Sequence, residues 1–413
     1  MANKVPEIRF AGFEDEWDNL PLSEYLTTSK SKNRDNRFGK EDVLSVSREY
    51  GVINQIEYQG RSFAGASVAG YGVVESNDIV YTKSPLRDQP YGIIKTNKSV
   101  PGIVSALYAI YHPNDNAEPD FVQTFFDKDK RLNDYLRPIV HKGAKNTLNI
   151  GDEEALQGKV RFPERAEQND IAGLFRILDT LISRQKDECE KLHHNRSALL
   201  DRMIPSFDNI RPLVRLESFT DEWIVAELSS FLEISKEKND NNDNNEYTVT
   251  DVLSVSQYFG VVNQIEFQGK SLAGASLRGY KTLRTNQVVY TKSPLKEQPY
   301  GIIKVNSGES GIVSSLYAVY DCIQSDGKFI ELYFSDPSRL NQYLRVLVRK
   351  GAKNTMNISD SDTLLGKVVF PSLEEQKAIA KIFEEFDRLI QLNEQKLDKL
   401  RNLKQAMLDK MFV

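Results

Sequence analysis

The chain has 413 residues, of which 40% are hydrophobic and 27% are charged, so it is long enough for two or three globular domains of ordinary composition. No stretch approaches the roughly 18 consecutive apolar residues of a membrane helix, and the N-terminal segment MANKVPEIRF does not resemble a signal peptide. The only cysteines are Cys189 and Cys322, which fit a reducing cytoplasm better than a disulfide framework. The net charge of −5 argues mildly against a nucleic-acid partner, but the local distribution of charge decides that question.

Residues 1–163 predict a compact α/β (α+β) domain. Short runs such as GIIKTN, GIVSALYAIY and GKVRFP are rich in Val, Ile and Tyr, and Gly and Pro separate them. This pattern is typical of short strands joined by turns. We therefore expect a twisted sheet packed with helices.

Residues 164–206 predict one long amphipathic helix. Alternating steps of four and three residues from Ile171 meet an apolar side chain at eight of ten positions. A period of 3.5 residues maintained for this length is the signature of a coiled coil. The two exceptions are Gln185 and Arg196. Polar residues at such positions can fix the register of pairing or can lie at a solvated edge, and the sequence leaves both interpretations open.

The remainder of the chain repeats this pattern. Residues 43–71 are identical to residues 252–280 at 20 of 29 positions, and further matches follow at a nearly constant offset. A second α/β domain is therefore predicted at 207–371 and a second long helix at 372–413. Because each copy needs its own core, we expect two copies about a pseudo-twofold axis, with the helices paired as an antiparallel coiled coil and the domains at its opposite ends. The polar exceptions of the second helix are Asn393 and Lys404.

Two basic segments, 131–145 and 339–353, stand out in this acidic chain. The first has four Lys or Arg residues against one acid, the second has five and none, and both run into a Gly-Ala-Lys-Asn-Thr turn. Backbone amides in a small-residue turn can approach phosphates closely. A solvated basic surface is the alternative. The candidate phosphate contacts are Lys142, Lys145, Asn146, Arg349, Lys350, Lys353 and Asn354.

A loop found in both copies supplies candidates for reading bases. YTKSPLRDQPYGIIK (81–95) returns as YTKSPLKEQPYGIIK (290–304). Lys and Arg donate to guanine, Gln pairs with adenine, and Tyr stacks or donates. The alternative is an ordered surface loop held by two prolines. The candidates are Lys83, Arg87, Gln89, Tyr91, Lys292, Lys296, Gln298 and Tyr300, and a third cluster adds Arg61 and Lys270, each framed by glycines.

Nothing in the sequence predicts a catalytic site. There is no GxxxxGK[ST] phosphate loop, no GxGxxG after a strand, and no zinc-ligand spacing around His193 and His194. We therefore expect no cofactor, no metal and no catalysis. A DNA-reading subunit is favoured over a self-contained nuclease or methyltransferase and over a structural coiled-coil adaptor whose globular domains bind proteins.

The order domain, long helix, domain, long helix resembles the specificity subunits of type I restriction–modification systems over the full chain. The segments that carry the resemblance are EIRFAGFEDEW, GIVSALY with GIVSSLY, GKVRFP…EQ with GKVVFPSLEEQ, and RSALLDRMI with KQAMLDKMF.

This resemblance implies that 1–163 and 207–371 are target-recognition domains, each contacting one half of a bipartite site in double-stranded DNA. It also implies that the helices form a spacer and a docking surface for two methyltransferase subunits, which motor-nuclease subunits join. Members of the family typically carry two unlike recognition domains, whereas the two copies here are nearly alike. We therefore expect a near-palindromic site.

Overall fold

The structure is a computed structural model that describes residues 5–85, 89–142, 148–205, 209–239, 247–274, 276–293, 298–350 and 356–413. The chain divides into two compact units. The first comprises Met1–Asp187 with Gln395–Val413, and the second comprises Glu188–Glu394.

The first unit contains an antiparallel four-stranded sheet in the order β2-β9-β6-β7 and the strand pairs β1–β12, β3–β4, β5–β8 and β10–β11. The strands are β1 Asp18–Pro21, β2 Leu26–Thr28, β3 Leu44–Ser47, β4 Gly51–Asn54, β5 Gly72–Val74, β6 Ile79–Thr82, β7 Ile94–Thr96, β8 Gly102–Val104, β9 Tyr108–Pro113, β10 His141–Lys142, β11 Leu148–Asn149 and β12 Lys159–Phe162. The helices are α1 Gln55–Gln59, α2 Pro119–Phe126, α3 Asp129–Leu136 and the long α4 Arg165–Met203. The three runs predicted as strands form β7, β8 with β9, and β12, which confirms the α/β content.

The second unit repeats this order, with the sheet β14-β21-β18-β19 and the pairs β13–β24, β15–β16, β17–β20 and β22–β23. The strands are β13 Ile224–Glu227, β14 Leu232–Ile234, β15 Leu253–Ser256, β16 Gly260–Asn263, β17 Lys281–Leu283, β18 Val288–Tyr290, β19 Ile303–Val305, β20 Gly311–Val313, β21 Ala318–Cys322, β22 Arg349–Lys350, β23 Met356–Asn357 and β24 Lys367–Phe370. The helices are α5 Gln264–Gln268, α6 Gly327–Tyr333, α7 Pro337–Arg345 and the long α8 Leu373–Lys410.

Each unit has an aromatic core between its four-stranded sheet and its second helix. In the first unit Phe121 on α2 packs edge-on against Phe162 on β12, with ring centroids 5.0 Å apart. In the second unit Phe329 and Phe370 repeat this contact at 5.2 Å. Such pairs add to the hydrophobic free energy of burial because ring edges carry positive charge and ring faces negative charge.

A buried ion pair fixes the start of each long helix. Glu167, which has no exposed side-chain surface, accepts two hydrogen bonds from Arg9 at 2.7 and 2.8 Å. The next residue, Gln168, donates to the carbonyls of Asn116 and Pro163 and accepts the backbone N–H of Glu118. The Glu-Gln pair of the GKVRFP…EQ segment therefore joins the last strand, the second helix and the long helix.

The long helices pair with each other within each unit. In the first unit Lys404 on α8 lies 2.6 Å from Asp179 on α4. In the second unit Arg196 on α4 lies 2.6 Å from Asp387 on α8, and the Arg196 guanidinium covers the ring of Phe383. Two of the four polar exceptions in the apolar period are therefore ion-paired across the helices rather than left at a solvated edge.

Candidate nucleic-acid interface

The two predicted clusters of the first unit meet at one ion pair. The Nζ of Lys83, in the loop after β6, lies 2.7 Å from a carboxylate oxygen of Asp152, which follows β11 and the basic segment. The hydroxyl of Tyr111 donates to the Asp152 carbonyl at 3.0 Å. We call the pair Lys83–Asp152 and its counterpart in the second unit the Lys–Asp junction. It joins the predicted base-reading loop to the strand pair that borders the predicted phosphate-binding turn.

The second unit has the same junction with one more cation. Asp360 accepts from Lys292 at 2.6 Å and from Lys281 at 2.5 Å. Burial by itself raises the pKa of Asp360, but the hydrogen bonds and charges of the two ammonium groups outweigh burial, and the pKa lies below its usual value. The carboxylate is therefore ionised at neutral pH.

An exposed leucine lies beside the junction. The backbone N–H of Lys83 donates to the carbonyl of Leu107, in the turn between β8 and β9, and the Leu107 side chain is 62% exposed. Its counterpart Leu316 is 70% exposed. An isolated exposed leucine is common, but one in this position is suited to contact a thymine methyl group. Their segments predict only strands and turns, so the sequence does not single out either leucine.

The two loop glutamines are buried. Gln89 is 2% exposed and donates to Asp129 at 2.5 Å, and Gln298 is 4% exposed. The rings of Tyr91 and Tyr300 pack against the two cores. Base contacts by these four residues stay predictions, and each requires the side chain to leave the packing seen here.

The third predicted cluster is on the surface. Arg61 and Lys270 are exposed just after α1 and α5, and the Arg61 guanidinium stacks 4.6 Å from the ring centroid of Phe63. Each cluster follows a glycine with φ near +73°, a left-handed conformation that glycine adopts without strain. Both side chains are open to a ligand.

The basic segments are helical only in their first parts. Two of their arginines are turned toward the protein interior: Arg131 is half-buried and Arg339 is buried. Arg131 donates to the carbonyls of Phe125 and Leu408 at 2.7 and 2.9 Å, and burial lowers its pKa to about 10. Arg339 donates to the carbonyl of Pro205, just after α4. Interpreting the whole segment as a basic face is therefore wrong for these two residues, which hold the ends of the long helices.

Other candidates lie wholly or partly beyond this description. Arg87, Lys145, Asn146, Lys296, Lys353 and Asn354 lie outside the described residues. Lys142 lies in the two-residue strand β10, and Arg349 and Lys350 form β22; for these three residues the structure describes the backbone only. Their contacts with phosphates stay predictions.

Within the described ranges, no three or more His, Cys, Asp or Glu side chains are grouped so that they could hold a metal ion. Among the described helices, none combines the length and the apolar character needed to cross a membrane.

Comparison with known proteins now adds to this geometry. Residues 220–402 match the family described as the type I restriction modification DNA specificity domain. The fold is similar to that of the S subunit of a type I restriction–modification system from M. genitalium, with a TM-score of 0.60, 12% sequence identity and 99% of each chain covered.

Weaker similarities extend to the HsdS subunit from Thermoanaerobacter tengcongensis (TM-score 0.44, 15% identity, 96% of each chain) and to a chain from a study of complex assembly in a type I R-M system (TM-score 0.48, 14% identity, 96% of this chain and 97% of that chain). The segment that matches the family is the second copy of a repeat that fills both halves of the sequence, and the fold extends the likeness over the whole chain. Residues 220–402 are therefore similar in sequence to the type I restriction modification DNA specificity domain, and the chain as a whole is similar in fold to an S subunit of such a system.

Proposed function

We propose that this chain reads a bipartite, near-palindromic site in double-stranded DNA and has no catalytic activity of its own. The observation that carries the proposal is the Lys–Asp junction, which in both units joins the start of the candidate base-reading loop to the residue that follows the strand pair β10–β11 or β22–β23. Phosphate contacts set the position of a protein on DNA, whereas base contacts set its sequence preference. A site that combines both is what a recognition domain needs.

We further propose that α4 and α8 form one antiparallel coiled coil, which sets the separation of the two half-sites and docks two methyltransferase subunits, with motor-nuclease subunits joining them. The ion pairs between α4 and α8 within each unit, Lys404–Asp179 and Arg196–Asp387, support the coiled coil. Exposed apolar side chains on the helices support docking, because a helix face without a partner is normally polar. These side chains are Ile177, Leu181, Leu389, Leu392 and Leu403.

Reversing the charges of the five basic-segment candidates Lys142, Lys145, Arg349, Lys350 and Lys353 should weaken binding to duplexes of any sequence. Each lost phosphate contact removes roughly 0.9 from the slope of log K against log salt, so the slope should flatten by as much as about 4 to 5. The measurement is a salt titration of duplex binding by fluorescence anisotropy. The control reverses exposed α8 lysines instead, namely Lys377, Lys381, Lys396 and Lys399.

Two results, one from this titration and one from an activity assay on the purified chain, would contradict the proposal. Binding that does not depend on salt would favour the alternative of a structural adaptor. Methyl transfer or cleavage by the purified chain alone would favour the alternative of a self-contained enzyme. An unchanged slope in the fivefold variant, with the wild-type chain still sensitive to salt, would leave the basic segments as solvated surface.

Replacing Lys83 by methionine should change the sequence preferred at one half-site more than the overall affinity, because a lost base contact costs about 1–3 kcal/mol of discrimination. Lys292→Met should do the same at the other half-site. The readout is selection of bound duplexes from a random pool. Asp152→Asn is the matched control, since it breaks the ion pair but keeps the ammonium group. A uniform loss of affinity over all sequences would instead make Lys83 a phosphate contact.

A further inference from the structure

The Lys–Asp junctions of the two units carry different charge. In the first unit Gly72, Lys83, Asp152 and Glu153 sum to a formal charge of −1 (0 + 1 − 1 − 1). The equivalent residues of the second unit, Lys281, Lys292, Asp360 and Ser361, sum to +1 (1 + 1 − 1 + 0). The two junctions therefore differ by two formal charges, although their shared lysine and aspartate are the same.

The space around the additional lysine, Lys281, differs between the two units. Gly72 is on β5, and a Cβ on it would lie 2.5 Å from the Cδ1 of Ile110 on β9, a strand of the four-stranded sheet. The residue equivalent to Ile110 in the second unit is Val319, which has no Cδ1. The first unit therefore combines glycine at position 72 with isoleucine at position 110, and the second unit combines lysine at position 281 with the smaller valine at position 319.

The carboxylate of Asp360 does not need two lysines. Asp152 has the equivalent position and the same tyrosine contact, and among the described residues it forms its ion pair with Lys83. Lys281 and Lys292 keep 13% and 18% of their side-chain surface exposed, and Asp360 keeps 22%. An ammonium group has three donors, so each lysine retains donors after it pairs with Asp360. The second junction is therefore an accessible site with one excess positive charge.

Within the part of the chain that the structure describes, the other charged groups around this site do not cancel the excess. Lys238 is exposed on the segment that bridges to Lys281, and Lys32 holds the equivalent position beside Gly72, so this cation is common to both units. Glu237 pairs with Arg284 at 2.6 Å. In the first unit Glu153 lies 3.6 Å from Lys30, whereas the hydroxyl of Ser361 lies 2.9 Å from that of Ser359.

We propose that Lys281, held beside Lys292 by Asp360, binds a phosphodiester of the DNA backbone that the first unit does not contact. This inference rests on the proposed function, because it assumes that the junction faces DNA. The two recognition units would then differ in affinity: the second unit would bind the DNA backbone more strongly than the first, even if both read similar bases. Lys281 would then act as an affinity determinant that belongs to one half-site.

The test uses the full-length chain and a 40-base-pair duplex of mixed sequence, with the dissociation constant measured over a range of potassium chloride concentrations. Lys281→Gln should reduce the steepness of log K against log salt by about 0.9, which corresponds to about a three- to fourfold smaller loss of affinity over a fourfold rise in salt. Lys281→Arg should keep the wild-type slope. Lys281→Gln leaves the Lys292–Asp360 pair, the equivalent of the Lys83–Asp152 pair of the first unit, so we expect the variant to fold.

A gain of function in the first unit provides the reciprocal test. Gly72→Lys combined with Ile110→Val should steepen the slope by about 0.9, while Ile110→Val alone should leave it unchanged. If Lys281→Gln matches wild type, or if the double variant gains nothing, the phosphate contact is refuted while the proposed function stands. If the wild-type chain binds the duplex without dependence on salt, the proposed function fails and this inference fails with it.

Discussion

Replacing Arg215 by methionine should lower the free energy of unfolding of the second unit by about 3–5 kcal/mol, because removing one partner leaves a buried charge without compensation. Arg215 donates twice to Glu375, at 2.8 and 2.7 Å, and the glutamate side chain is only 2% exposed. Trp223 adds a further hydrogen bond to the same carboxylate at 3.3 Å. The variant keeps most of the apolar stem of the side chain, so the loss reports mainly on the charge.

The chain offers its own control and its own probes. Arg211 pairs with Glu222 in the same segment, but both side chains are more than 70% exposed, so Arg211→Met should change stability by less than about 0.5 kcal/mol. The chain has two tryptophans, Trp17 in the first unit and Trp223 in the second. Urea titration followed by fluorescence should therefore show a shifted transition for the Trp223 signal.

The equivalent variant of the first unit extends this test. Arg9→Met should shift the Trp17 signal by a similar amount, because Arg9 holds Glu167 in the same two-bond geometry. Equal stability of Arg215→Met and wild type would show that the glutamate is neutral or hydrated in the folded chain. A large loss of stability in Arg211→Met would show that substitutions in the segment around Arg211 and Arg215 destabilise the unit without involving the buried charge of Glu375.

The sequence predicted those features that depend on local periodicity. The long helices were predicted at 164–206 and 372–413, and α4 and α8 begin and end within a few residues of these bounds. An apolar period of 3.5 residues requires only that one face of a helix be buried, so the sequence alone suffices. The strands between glycine and proline turns follow from the same kind of argument.

The sequence did not predict which charged side chains would be paired. Lys83 and Asp152 are 69 positions apart, and Arg9 and Glu167 are 158 apart, so no spacing rule connects them. Arg131 illustrates the consequence. Its sequence context is that of an exposed basic surface, yet it is half-buried and its guanidinium donates to two backbone carbonyls near the ends of neighbouring helices. Whether a cation faces solvent is decided by tertiary structure, which composition does not record.

The glutamines of the predicted loop show the same limit. Their chemistry suits adenine, but the fold buries Gln89 against Asp129 at the start of α3. A buried amide that keeps a hydrogen bond stabilises the fold, and it can contact a base only if the loop moves and exposes it. The repeat cannot separate these roles, since duplication copies packing residues and contact residues alike.

Removing one matched heptad from both long helices should shorten the unread spacer of the DNA site by about three base pairs without changing the bases read. Seven residues contribute roughly 10 Å of helix at 1.5 Å each, and one base pair spans about 3.4 Å. Residues 185–191 of α4 and 392–398 of α8 are the segments to remove. Along each helix they lie between the positions that form the two ion pairs, Asp179–Lys404 and Arg196–Asp387.

The heptad matters because it preserves the phase of the apolar face. A deletion of seven residues returns each remaining side chain to the seam, whereas a deletion of four shifts the phase and locally disturbs the pairing. We therefore expect the seven-residue variant to direct methylation to a new site and the four-residue variant to lose activity. The measurement is sequencing of methylated sites in cells that also express the methyltransferase and motor-nuclease subunits.

The wild-type site seen in the same experiment tests the near-palindrome. Two similar recognition domains on a twofold-like frame should read inverted copies of one half-site, with centres about one helical turn, or roughly 34–36 Å, apart. Half-sites of three to four base pairs then leave an unread spacer of about six or seven. Unrelated halves would refute the palindrome and would assign base reading to the positions where the units differ, such as Ala69 against Arg278 or Val73 against Thr282. A spacer that stays the same after the heptad is removed would show that the partner subunits, and not α4 and α8, set the separation of the half-sites.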